Sequence, residues 1–167
     1  MDEWKRDGRR ALRDALGARL ASHGSTSLLQ VDLDRMLWFN DTFGHDAGDA
    51  ALAQVWAALA EVAGADHLYR TAGATYSVLV DLEAREAMQL GEALRAAVAA
   101  RRIANPKPPD GPGWLTVSVG VVTHDAGAGP LTVAKMLALA DQRCYQAKAA
   151  GRDRVVGEDP APAGAVP

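Results

Sequence analysis

Apolar residues along the chain follow two rhythms. Leu12, Leu16 and Leu20 recur four apart within EWKRDGRRALRDALGARLAS, residues 3–22, the spacing of one face of an amphipathic helix, with Gly8 weakening its first turns. Helices are likewise predicted over 46–64, ending at Gly64, over 83–102, and over 131–151, ending at Gly151. Elsewhere the period drops to two. LLQVDLD, 28–34, is strand-like and meets charge only at Asp32 and Asp34. HLYRTAGATYSVLV, 67–80, alternates as two strands about a turn at Ala72-Gly73-Ala74-Thr75. WLTVSVGVVT, 114–123, is β-branched and alternating, and RDRVVG, 152–157, is a last short strand. Between these lie RMLWFNDTFG, 35–44, a short helical or turn segment, and ANPKPPDGPG, 104–113, an exposed loop.

Strands thus alternate with helices, and one pair of strands is a hairpin. That order predicts an α/β (α+β) mixed sheet of about five strands with packed helices, of polymerase-palm or ferredoxin-like type. Three stretches are expected: an N-terminal helix over 1–22, a folded body over 23–157, and a Pro/Ala-rich tail, EDPAPAGAVP, that reads as disordered.

Composition narrows the function. The chain has 167 residues, enough for one domain, and 49% of them are apolar, enough for a sizeable core. A net charge of −3 provides no basic field for duplex nucleic acid. No apolar run reaches membrane-spanning length and the first residues are charged, so the expectation is a soluble, cytoplasmic protein. Cys144, the single cysteine, sits in a helical pattern and reads as a buried structural thiol.

Three clusters could carry chemistry. Two carboxylates at the end of a buried strand, Asp32 and Asp34, are costly unless something binds them, and a divalent cation is one reason to keep them. Asp34 is expected to point to the opposite face, and the other reading has it capping the next helix with Asp32 bonded locally. In FNDTFGHDAGD, Asn40, Asp41, His45, Asp46 and Asp49 crowd around Gly44 and Gly48; such side chains can read a purine edge, or simply cap a loop between helices. Lys148 and Arg152, four apart at a helix end, could hold a phosphate or answer the helix dipole.

Together DLD…FNDTFGHDAGD (32–49), LTVSVGV (115–121), LADQRCYQAKAAGRDRV (139–155) and GRRALRDAL (8–16) resemble the GGDEF domain of the diguanylate cyclase family, over roughly residues 8–156. The resemblance implies the palm-like fold, a GTP site, two Mg²⁺ ions, and head-to-head meeting of two GTP-loaded subunits to make cyclic di-GMP. Matched by position, it implies that Asp32 is a metal ligand with the Leu33 carbonyl beside it. It also implies that Asn40 and Asp49 read guanine, and that Lys148 and Arg152 contact phosphate. The family's RYGGDEF signature falls on the hairpin, where this chain reads Arg70-Thr71-Ala72-Gly73-Ala74-Thr75-Tyr76. The first glycine is Ala72, both acidic positions are lost to Ala74 and Thr75, and the aromatic remains as Tyr76. The lysine after DxDxF falls on Leu37, and the arginine of the product-inhibition RxxD falls on Ala63. The expectation is a catalytically degenerate domain that binds a purine nucleotide, holds Mg²⁺ weakly, and signals through a protein partner, with a homodimer as the family's assembly. The alternatives are a nucleotide-independent scaffold, or an enzyme in which Asp81 or Asp125 replaces the missing ligand.

Overall fold

A strand with apolar residues on both faces must be covered on both, and Leu28 and Leu29 set the pattern here. In the computed structural model, which describes residues 2–22, 24–125 and 127–157, β1 (Thr26–Leu33) is the central strand of a five-stranded sheet. The sheet order is β2-β3-β1-β4-β5, where β2 is Leu68–Ala72, β3 Thr75–Val80, β4 Val117–His124 and β5 Arg154–Val156. β1 runs antiparallel to β3 and β4, and β5 lies parallel to β4, so the mixed palm-like sheet is as expected. The helices are α1 (Arg9–Leu20), α2 (Met36–Phe43), α3 (His45–Ala63), α4 (Ala84–Ala100) and α5 (Val133–Ala149).

Strand alternation sorts side chains between two cores. Leu29, Val31 and Leu33 of β1 pack with Val55, Leu59, Leu94 and Val98 under α3 and α4. Leu28 faces the other way, packing with Leu79 and Val122 against Leu12 and Leu16 of α1 and Met136 and Ala140 of α5. The same period carries residues 30, 32 and 34 to the α5 side, which decides the candidate site.

One segment differs from the sequence reading, and one loop is anchored in a way its composition does not show. The N-terminal helix starts only at Arg9; Glu3–Lys5 is a separate 3-10 turn, and Gly8, its cap, donates its backbone N–H to the Arg70 carbonyl at 2.7 Å. The chain leaves the helical path there because it docks on the hairpin strand. The 104–113 loop is exposed over most of its length, as expected, and it is also tied down. Asn105 is buried, its N–H donates to the Gly113 carbonyl at 2.8 Å, and its side chain donates to the Arg35 carbonyl at 3.3 Å. Arg35 in turn pairs with Asp110. No helix among the described residues is long and apolar enough to cross a membrane. The tail over 158–167 lies outside the described residues.

Candidate active site at the end of the central strand

The hairpin closes through Gly73-Ala74, with Ala72 opposite Thr75. Arg70 locks it: its guanidinium donates to the Gly73 carbonyl at 2.7 and 3.0 Å, to the Trp4 carbonyl at 3.3 Å, and lies 5.5 Å from the Trp4 ring. Ala74 accepts from the Leu33 N–H at 3.0 Å, which sets the turn against the end of β1, and its methyl packs on the α3/α4 core. Thr75 lies beside Asp32, with Oγ1 3.4 Å from Oδ1. Tyr76 is fully buried, donating to the Leu52 carbonyl at 3.3 Å, and burial drives its phenol well above the ordinary range. The hairpin therefore turns a methyl toward the α3/α4 core and sets only a hydroxyl beside the carboxylate end of β1.

Asp34 neither points away from Asp32 nor caps α2. The residue at the α2 cap is Arg35, with left-handed backbone (φ 58°) and no side-chain cap bond. The ladder continues through the Asp34 N–H to the Thr116 carbonyl, 2.9 Å, so alternation turns both carboxylates toward α5. Asp34 is 1% exposed and fully satisfied. Oδ1 accepts from Ser118 Oγ at 2.6 Å and Lys148 Nζ at 3.2 Å; Oδ2 accepts from Thr116 Oγ1 at 2.7 Å and the Asp153 N–H at 3.1 Å. Three successive left-handed residues after α5, Gly151, Arg152 and Asp153, bring that last N–H inward.

Lys148 turns into this centre. Its ammonium donates to the Leu33 carbonyl at 3.0 Å and to Asp34, and lies 3.6 Å from Asp32 Oδ2. Asp32 and Leu33, the expected metal ligands, thus face the same side chain that the family pattern assigns to phosphate. Burial raises the Asp32 carboxyl above the ordinary 3.8; the Lys148 ammonium opposes the rise, and the nearby Asp34 charge adds to it. Lys148 and Arg152 do not share a face: Lys148 points at β1, while Arg152 lies in the left-handed turn, its N–H on the Ala147 carbonyl at 3.0 Å and its Nε buried without a partner.

Asn40, near the end of α2, and Asp49, in the second turn of α3, stand on helices joined at Gly44. Asn40 Oδ1 is buried without a partner, and a Cβ at Gly48 would overlap it and lie 3.2 Å from Cγ, so only glycine leaves the carboxamide its place. Asp49 is exposed. Asp41, His45 and Asp46 are exposed as well.

The replacement ligands considered from sequence are not here. Asp81 follows β3 at the far end of the sheet and pairs with Arg19, and Asp125 follows β4 at that same end. Six residues of β1 separate that end from Asp32, about 20 Å at the rise of a strand. No group of three or more His, Cys, Asp or Glu among the described residues could hold a metal ion. With Ala74 and Thr75 at the hairpin and Lys148 on the remaining oxygens, the donor set does not fit a divalent metal pair.

Sequence reasoning missed Thr116 and Ser118 as partners of Asp34. Their signal was two polar residues on the alternate positions that share a face with Gly120, in an otherwise apolar strand.

The match to the family described as "Diguanylate cyclase, GGDEF domain" covers residues 7–154. The chain belongs to the GGDEF family. This GGDEF domain is 34% identical over 156 residues to the response regulator PleD of Caulobacter vibrioides, covering 87% of the chain and 32% of PleD. It is 34% identical over 146 residues to the diguanylate cyclase DgcP of Pseudomonas aeruginosa, covering 86% of the chain and 21% of DgcP. The chain thus spans about a third or less of the curated relatives named here. Among solved structures it resembles the coiled coil and GGDEF domain of DgcB from Caulobacter crescentus in complex with c-di-GMP. The TM-score is 0.75 and the identity 26%, over 89% of this chain and 80% of that one. The diguanylate cyclase SiaD of Pseudomonas aeruginosa, in complex with its activator SiaC, gives a TM-score of 0.73 and 28% identity, over 90% and 58%.

Proposed function

We propose that this GGDEF domain is a catalytically silent regulatory module that binds a purine nucleotide, GTP, through Asn40, Asp49 and Arg152, and that it is not a working diguanylate cyclase. The observation that carries the silence is the hairpin: the half-buried Ala74 methyl packs against the core and the Thr75 hydroxyl lies beside Asp32, where the family signature has two carboxylates. Loss of one preorganised electrostatic element of a transition state typically costs on the order of a hundredfold or more in rate. Here two are replaced.

Two orphaned atoms support nucleotide binding. Buried polar groups are nearly always paired, yet Asn40 Oδ1 and Arg152 Nε are buried with no partner. A base edge would satisfy the first and a phosphate the second. Asp49 can accept two hydrogens from guanine. Lys148 could join a phosphate only by leaving Asp34.

The test is calorimetric titration of GTP into the chain, with and without Mg²⁺, followed by chromatography of the mixtures. Binding without product, abolished in Asn40→Ala or Asp49→Ala, is expected. Cyclic dinucleotide product would refute the silence, and absence of binding would refute the nucleotide site. A second reading, a nucleotide-independent docking module, is favoured by α2, which exposes Leu37 at 73%, Trp38 at 48% and Phe43 at 45%. The SiaD–SiaC complex is a relative seen with a protein partner. Absence of nucleotide binding would favour that reading.

A further inference from the structure

The centre at the end of β1 has two carboxylates and one carbonyl directed at a single point, and an ammonium already occupies it. Leu33 O at 3.0 Å, Asp34 Oδ1 at 3.2 Å and Asp32 Oδ2 at 3.6 Å surround Lys148 Nζ. The ammonium donates hydrogen bonds to the Leu33 carbonyl and to Asp34, and it is ion-paired with Asp32. We propose that Lys148 is the resident cation of this centre, and that it keeps divalent metal off Asp32 and Leu33. The inference concerns the centre itself and does not require that a nucleotide bind.

Three observations converge on it. First, the oxygens a metal would need are in use: Asp32 Oδ2 and the Leu33 carbonyl face Lys148, and Asp32 Oδ1 faces Thr75. Second, the charge is already mostly balanced. Asp32 and Asp34 are the two carboxylates paired with Lys148, and its one ammonium offsets one of them. A carboxylate at either hairpin position would leave two uncompensated charges, which calls for a dication; this chain leaves one, on the partly exposed Asp32. Third, displacement is costly. Asp34 has no exposed side-chain surface, and removing its ammonium leaves a buried charge without a counterion, a change that typically costs several kcal/mol. Mg²⁺ gives up its own waters reluctantly and would recover only Asp32 and one carbonyl in exchange.

Lys148 reaches the centre because α5 lies tight on the sheet. Gly120 of β4 has no side chain to hold the helix off, and the backbone of Arg143 would lie 2.9 Å from a Cβ there. One helical turn beyond Cys144, the lysine stem then runs along the end of β1.

The experiment is Mn²⁺ titration of the nucleotide-free chain, followed by the electron paramagnetic resonance signal of free Mn²⁺. The wild-type chain is expected to show no saturable binding up to about 1 mM, while Lys148→Ala gains affinity by at least about tenfold, with the gain lost when Asp32→Asn is added. Saturable micromolar binding by the wild type that Asp32→Asn abolishes would overturn the proposal. So would a folded Lys148→Ala chain that binds no better than wild type. Should Lys148→Ala fail to fold, thermal unfolding of the wild type in increasing Mn²⁺ decides alone. No rise in Tm is expected, and a saturating rise lost in Asp32→Asn would overturn it.

Discussion

Asp34→Asn removes one negative charge without changing shape, at the most heavily bonded side chain of the candidate site. The carboxylate is 1% exposed and accepts four hydrogen bonds, from Ser118, Lys148, Thr116 and the Asp153 backbone. In the amide, one end keeps an oxygen for two of these donors. The other end becomes an NH₂. Thr116 can turn its hydroxyl to accept from it, but the Asp153 N–H cannot, so two donors face each other. The Lys148 ion pair is also lost. A hydrogen bond to a charged group is worth about 1.5–3 kcal/mol, and breaking a buried pair from one side costs about 3–5 kcal/mol. Because Lys148 keeps the Leu33 carbonyl and Asp32, the lower part of that range applies, about 3–4 kcal/mol. For a chain of this size each kcal/mol lowers Tm by about 2–4 °C, giving a fall of about 6–16 °C. The assay is thermal and urea unfolding followed by far-UV circular dichroism, with Thr116→Val as a comparator that deletes one donor to the carboxylate at about 1.5–3 kcal/mol. A Tm within about 2 °C of wild type, at unchanged m-value, would refute the view that Asp34 is the buried hub of this site.

Gly120→Ala should destabilise by about 3 kcal/mol or more, because its Cβ meets the backbone of Ala140, Arg143 and Cys144 rather than a movable side-chain end; urea midpoints at equal m-value check this, and a loss under about 1 kcal/mol would mean that α5 can lift off the strand. Burial pushes the Cys144 thiol from an ordinary 9.0 up to about 12. Its folded value is the higher one, so its contribution is intact below pH 9 and is lost as pH rises toward 12, by about 1.4 kcal/mol per pH unit across that window. The wild type should therefore lose stability with alkaline pH faster than Cys144→Ala, and parallel pH profiles for the two would contradict the burial argument.

Fold and site were legible to different degrees, and particular residues show why. The β1, β3 and β4 strands and the four long helices could be read because period-two and period-four spacing are local properties of the chain. The sequence pattern carries the N-terminal helix back to residue 3, since nothing local to Gly8 announces that it must meet Arg70 of the hairpin. The 104–113 loop is mostly exposed, as its polar, Pro/Gly-rich composition implies, but its anchoring is not legible in that composition. Its order comes from Arg35, some seventy residues away in sequence, bonded to Asp110.

The sequence by itself determined the family and that the hairpin carries Ala74 and Thr75, because residue identity at a matched position needs no coordinates. It also held the two-state choice at Asp34, cap or ligand, without the means to decide it. Tertiary structure decided that choice. Whether a carboxylate caps a helix, binds a metal or pairs with an ammonium depends on which donors arrive from elements distant in the chain. Here Thr116 and Ser118 come from the β4 segment, Lys148 from α5 and the Asp153 N–H from the turn after it. Hydrogen bonding and charge pairing act over a few ångströms of space, and only the packed sheet and helix bring those groups within that range.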